Sequence, residues 1–216
     1  MFQRLLFLFI LFLPSLSQSN PVYLKEISDL ILTNQELKNY CHPALERQCF
    51  WYDKIYLIGY SSKKIYYLKD ISKNDNSATT IYQIFSQNQT DRPSLIQNYV
   101  YESDRFSGVK DFYISDIDVF WKYEKESINK ILKSKKVQAN RQKINFDIKP
   151  ADGEKIDKKI IDFMSSYQCK NCVLPIKSRT VLGFMKINEY SFAILGFLEE
   201  GIEAGPPVIH VDFLGL

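Results

Sequence analysis

The chain has 216 residues, 45% of them apolar and 25% charged, with only 8 Gly and 8 Pro. That composition excludes collagen-like, low-complexity and wholly disordered chains, and the length suffices to bury a real core. The formal charge is +3 and Lys outnumbers Arg 22 to 6, which gives nucleic acid no footing, since Arg is the usual reader of phosphates and bases.

Met1 to Ser19 reads as a secretory signal peptide. Arg4 supplies its positive end, Leu5 to Leu13 its unbroken apolar stretch, and Pro14 ends that stretch. Nine apolar residues fall well short of the ~20 that span a bilayer. Ser17 and Ser19 are the small residues needed for a cut before Asn20, with Ser15 and Ser17 as the alternative before Gln18. The expected product is a secreted or periplasmic chain, residues 20–216, without a transmembrane anchor after cleavage.

Pro21 to Tyr40 reads as a helix, because Leu24, Ile27, Leu30 and Ile31 share one face at a 3.6-residue period. Cys41 to Cys49, with Pro43 inside, reads as a loop. Phe50 to Tyr60 and Lys64 to Lys69 are aromatic and β-branched, as strands prefer, and a short polar turn makes them a hairpin. Thr79 to Phe85 is a further strand between polar loops, and Leu95 to Tyr101 fits strand or helix. Val109 to Trp121 alternates and reads as a strand, followed by a helix over Glu124 to Gln138.

Lys143 to Lys149 reads as a strand ended by Pro150. Asp152 then caps a helix with Ile156, Ile160, Met164 and Tyr167 along one face. Thr180 to Ile187, Tyr190 to Leu198 and Pro207 to Phe213 are strands, the first two joined tightly at Asn188-Glu189. The sum is a single α+β domain over 20–216: a mainly antiparallel sheet with about three helices packed on one face.

Five groups of residues bear on function. Cys41, Cys49, Cys169 and Cys172 are four cysteines in an exported chain, and export favours disulfides over thiols. Three pairings are open, of which the local one, Cys41 with Cys49 and Cys169 with Cys172, closes the smallest loops. Cys169-Lys-Asn-Cys172 also has the spacing of a thiol-disulfide oxidoreductase centre, but it follows a helix, whereas a reactive thiolate is usually found at a helix N-terminus. The same four cysteines with His42 could form a zinc set, which the oxidising compartment disfavours.

His210 and Asp212 share a face in the strand VIHVDF, the arrangement an exported hydrolase would need for a carboxylate-oriented base. Asp116 and Asp118 share a face in the manner of a cation-binding D-x-D, without further oxygen ligands nearby. Residues 122–143 carry eight basic side chains against two acidic ones, a stretch able to meet an anionic envelope or extracellular surface. Asn88 opens an N-x-T sequon, relevant only in a eukaryotic secretory pathway.

None of these groups forms a coherent catalytic set. The sequence therefore favours a protein that acts by binding rather than an enzyme, with no metal and no cofactor. The rival readings are the hydrolase around His210 and Asp212 and the oxidoreductase using Cys169 and Cys172. The export reading has a direct test. N-terminal sequencing of the native protein should find Asn20 first, or Gln18, and an intact Met1 on a membrane-bound product would refute it.

Overall fold

Alternate residues of most strands bury on opposite sides, and that one property sets the architecture. The computed structural model describes residues 20–41, 49–61, 64–72, 79–89, 92–102, 117–139, 146–151, 156–170, 172–201 and 205–216. In chain order they form β1 (Val22–Tyr23), α1 (Lys25–Thr33), α2 (Gln35–Lys38), β2 (Trp51–Tyr52), β3 (Lys54–Ser61), β4 (Lys64–Ile71), β5 (Thr79–Asn88) and β6 (Ser94–Glu102). Then follow α3 (Ile117–Ser134), β7 (Gln138–Ala139), β8 (Phe146–Pro150), α4 (Lys158–Ser166), β9 (Ile176–Ile187), β10 (Tyr190–Glu199) and β11 (Val208–Gly215).

The strands make two sheets. One has the order β1-β3-β4-β5-β6, with β7 also on β3, and the other the order β2-β11-β10-β9-β8. Every pairing is antiparallel except β2 with β11, which is parallel. The β9–β10 turn is the tight one expected at Asn188-Glu189. Asn188 has φ 53°, a left-handed conformation that Asn tolerates better than most residues.

The two sheets face each other. Ile55, Leu57, Ile65 and Tyr67 of the first meet Leu182, Met185, Ile194, Ile209, Val211 and Phe213 of the second. Ile27, Ile31 and Leu37 of α1 and α2 join this core. The intervening residues of β3 and β4, Tyr56, Ile58, Tyr66 and Leu68, point the other way, onto Phe120, Trp121, Ile128 and Leu132 of α3. Likewise Val181, Ala193, Leu195, Phe197 and Leu214 turn outward onto Ile160 and Phe163 of α4. The result is four layers: helix, sheet, sheet, helix.

The α+β class and the antiparallel bias match the sequence reading, but the single sheet with helices on one face does not. β3, β4 and β11 are buried on both faces, so each sheet needs a layer on each side. The N-terminal helix is also split. Asn34 takes an extended ψ of 119° and its side-chain oxygen accepts from the Leu37 N–H at 3.0 Å, so it ends α1 and caps α2.

A third correction falls at Val109 to Trp121. Residues 103–116 lie outside the described residues, and Ile117 to Trp121 open α3 rather than closing a strand. Phe120, Trp121, Ile128 and Leu132 follow the helical period, which outweighs the local alternation. At its other end Lys136 turns left-handed (φ 53°) and the Val137 N–H reaches back to the Leu132 carbonyl at 3.0 Å, closing the helix. α4 starts later than expected, with Asp157 rather than Asp152 as its cap; its carboxylate accepts from the Lys159 N–H at 2.9 Å.

Close backbone approach fixes one edge of the second sheet. A Cβ built on Gly183 would overlap the Lys149 carbonyl oxygen across the β8–β9 pairing and lie 2.7 Å from Leu30 Cδ1. On Gly196 the atoms nearest to it would be those of the Leu182 side chain, at 3.1 Å and beyond. Gly183→Ala should therefore cost about 1–3 kcal/mol in denaturant unfolding, and Gly196→Ala clearly less, because a side chain can yield where backbone cannot. Equal midpoints for the two variants would contradict this packing.

Candidate functional site

The first element of the site is a corner in the chain. β2 runs beside β11 in one sheet, and the next residue, Asp53, leads into β3 of the other. The Asp53 N–H donates to the Ile209 carbonyl at 3.1 Å, which extends the β2–β11 pairing by one bond. Asp53 is 1% exposed, so its carboxylate must be satisfied by protein.

Four donors do so. Oδ1 accepts from the Ser72 N–H at 3.1 Å and faces His210 Nδ1 at 3.3 Å. Oδ2 accepts from the Val211 N–H at 3.1 Å and lies 3.1 Å from Lys69 Nζ. Lys69 is the third residue of the inward row Ile65, Tyr67, Lys69 on β4, and it is 4% exposed. Its ammonium also reaches Asp212 Oδ1 at 3.3 Å and lies 5.9 Å from the centre of the Phe85 ring.

His210 continues the chain of contacts. Its Nε2 bonds Glu199 Oε2 at 2.7 Å, and Glu199 Oε1 accepts the N–H groups of Val173 and Leu174, both at 2.6 Å. Glu199 and His210 are 0% and 2% exposed. A continuous polar line thus runs from the backbone after Cys172 through Glu199, His210, Asp53 and Lys69 to Asp212.

These contacts set the charge states. Burial disfavours a charged imidazole, but the Asp53 and Glu199 carboxylates more than offset it and raise the His210 pKa from 6.5 to about 9. Burial also opposes the charges on Asp53 and Glu199. Lys69 and His210 still hold Asp53 below the usual carboxylate range, and the His210 bond with the two backbone N–H groups does the same for Glu199. Lys69 is raised against its own burial by Asp212 and Asp53. Tyr67 is wholly buried between Phe85 and Phe213, and its hydroxyl has no partner among the described residues; burial and then Asp212 push its pKa up.

A cleft of about 690 Å³ opens onto this line. Gln83, Phe85, Leu95 and Asn98 of β5 and β6 form one wall, with the Gln83 amide donating to Asn98 at 3.0 Å. Phe163, Ser166 and Tyr167 of α4 and its cap form the other, and Gln168, Cys169 and Lys170 extend it. Lys69, His210 and Asp212 lie at its deep end. Tyr167 is fixed by stacking on Phe197, with ring centroids 3.5 Å apart. Arg92 donates to Ser166 Oγ at 2.7 Å and sits 5.2 Å from the Phe163 ring centre, so its charge is held at the mouth.

Both local cysteine pairs are bonded, with Cα–Cα distances of 4.9 Å for Cys41–Cys49 and 5.4 Å for Cys169–Cys172. The first packs against the core between the sheets, and the second lies beside His210. All four cysteines of the zinc set are taken up in these two bonds, and His42 lies outside the described residues. His210 and Asp212 both reach the cleft, but they meet through Asp53 and Lys69 rather than each other.

Asp118 is exposed in the first turn of α3, and Asp116 lies outside the described residues. Asn88 ends β5, half-buried, with Thr90 outside the described residues. Lys122, Lys130, Lys133, Lys135 and Lys136 are exposed on and just after α3, a placement that solvation alone accounts for; Arg141 and Lys143 lie outside the described residues. No helix among the described residues is long and apolar enough to cross a membrane.

Asp53, Lys69 and Glu199 escaped the sequence reading. The signal was faint but present: Lys69 continues an inward apolar row, and Glu199 closes the otherwise apolar run of β10. Comparisons with protein families, with curated proteins and with solved structures find no match for this chain.

The cluster predicts a pH profile. A raised His210 pKa means stabilisation that is complete below 6.5 and lost as the pH climbs through 9. The lowered Asp53 and Glu199 values mean stabilisation present above their ordinary range, 3.8 and 4.5, and lost as the pH falls below it. Asp70, raised to about 6 by burial despite Lys54, loses its contribution before the histidine window opens. Urea unfolding should show stability falling between pH 6.5 and 9.5, by up to about 3 kcal/mol. His210→Asn should flatten that slope. A wild-type profile flat across this interval would rule out a charged His210.

Proposed function

We propose that this is an exported, secreted or periplasmic protein that binds a small anionic ligand with a flat or ring-shaped face. The observation that carries the reading is the cleft itself. Its walls combine aromatic faces, Phe85, Phe163 and Tyr167, with the amides Gln83, Asn98 and Gln168. Rings offer stacking area and amides offer oriented hydrogen bonds, the usual division of labour in a small-molecule site. Arg92 and Lys170 make the cleft positive, while the acidic group that lines it, Asp212, is bound to Lys69. The two disulfides suit an oxidising compartment, in keeping with export.

The hydrolase reading draws less support. A general base needs a neutral ring nitrogen turned to the substrate. Both nitrogens of His210 face carboxylates, and between them the ring keeps its proton at neutral pH. That describes an acid or a fixed charge rather than a base.

Saturation-transfer NMR with cyclic and aromatic carboxylic acids, acidic sugars and their neutral counterparts tests the proposal. Members of the anionic group should bind, and Arg92→Glu with Lys170→Glu should weaken them at least tenfold without changing the circular dichroism. Equal binding of neutral analogues, or anion binding that survives both charge reversals, would refute it.

A further inference from the structure

The Cys169–Cys172 disulfide sits where a structural staple has little to do. It spans a sequence separation of only three, so it constrains little of the unfolded chain. The segment behind it is already tied down, because Glu199 holds the Val173 and Leu174 N–H groups. Cys169 lines the cleft, and both cysteines are only partly buried. The two sulfurs and a ring nitrogen of His210 all lie within 4.8 Å of one another. Glu199 thus grips, with its two oxygens, both the loop that carries the disulfide and the histidine beside it.

We infer that Cys169–Cys172 is a reactive disulfide that oxidises an anionic thiol admitted by the cleft, with the charged His210 ring beside the departing sulfur. The inference rests on the cleft being the ligand site and names the ligand class. The thiolate attacks Cys169 Sγ, the sulfur of the residue that lines the cleft. A bond forms between the two, the bond to Cys172 Sγ breaks, and the electron pair stays on Cys172, which takes a proton from solvent. A second thiol of the same kind attacks the mixed disulfide on its own sulfur. It leaves as the ligand disulfide, and Cys169 becomes a thiol. Two thiols lose two electrons and release two protons to solvent; the protein disulfide gains the two electrons, Cys172 and Cys169 each take up one proton from solvent, and His210 keeps its own.

His210 brings a positive charge to a place that otherwise resists a thiolate. The cysteines follow the C-terminal end of α4, whose carbonyls disfavour negative charge. The three carboxylates of the line, Glu199, Asp53 and Asp212, outnumber the two cations Lys69 and His210. Lys170 and the Tyr167 hydroxyl are the other titratable groups on this wall. With its pKa raised to about 9, His210 carries that charge at neutral pH.

Glutathione, an anionic thiol, and 2-mercaptoethanol, a neutral one, are suitable probes for the full mature chain. Alkylation of equilibrated samples, followed by peptide mapping, reads each disulfide separately. Cys169–Cys172 should open at glutathione concentrations at least tenfold below those that open Cys41–Cys49, and glutathione should react at least tenfold faster than 2-mercaptoethanol. Cys172→Ser, exposed to oxidised glutathione, should carry the adduct on Cys169. His210→Gln should slow reduction tenfold or more; if it does not fold, Glu199→Gln should slow it through loss of the histidine's partner.

Two disulfides that open together, or exchange rates indifferent to both substitutions in folded protein, would overturn the inference. So would a reduced protein that takes up zinc on Cys169, Cys172 and His210 and performs no exchange. If the disulfide is inert while carboxylic acids still bind and Arg92→Glu still weakens them, only this inference fails. If Arg92→Glu leaves acid binding and the glutathione rate both unchanged, the cleft reading fails with it.

Discussion

A single carboxylate holds the two halves of this protein in register. Asp53 accepts from the backbone of Val211 and of Ser72, and it pairs with Lys69 and His210, so strands of both sheets end on one group. A buried carboxylate without such partners would cost several kcal/mol, and removing either cation would leave an uncompensated charge. The corner between β2 and β3, the edge of β11 and the deep end of the cleft are all fixed by this requirement.

Burying so much charge is not the cheapest way to fill a core, since well-packed apolar groups would serve about as well. What the charges add is alignment. Side chains on a strand alternate faces, so a slip of β11 by one residue would put Ile209 or Val211 where His210 stands, against two carboxylates. The same arrangement favours the charged form of His210 at neutral pH, beside a disulfide. The cleft between β5, β6 and α4 reaches the same residues that tie the two sheets together.

The sequence was most informative where local physics decides. The helical faces of Ile27 with Ile31 and of Ile160 with Met164, the turn at Asn188 and the local cysteine pairs all follow from spacing or loop length. It was least informative where two distant segments decide. That both faces of β3 and β4 are covered was latent in their near-continuous apolar runs, yet alternation alone does not say what lies on the second face. Ile117 to Trp121 shows the converse hazard: alternation over five residues coexists with a helical stripe that only Ile128 and Leu132 reveal. His210 was visible as a candidate, but its partners were not. Asp53 and Glu199 acquire meaning only once β2 lies beside β11 and β10 beside it on the other side.

Those partners are also far apart along the chain. The Val211–Asp53 bond joins residues 158 positions apart, and the Lys69–Asp212 bond joins residues 143 apart. Closing loops of that size comes late and slowly, after hairpins such as β3–β4 and β9–β10 can already pair. A half-folded chain can thus hold both hairpins and still lack the charged line entirely. The elevated proton affinity of His210 would then arise only in the final step, which makes its NMR titration a reporter of complete folding rather than of secondary structure.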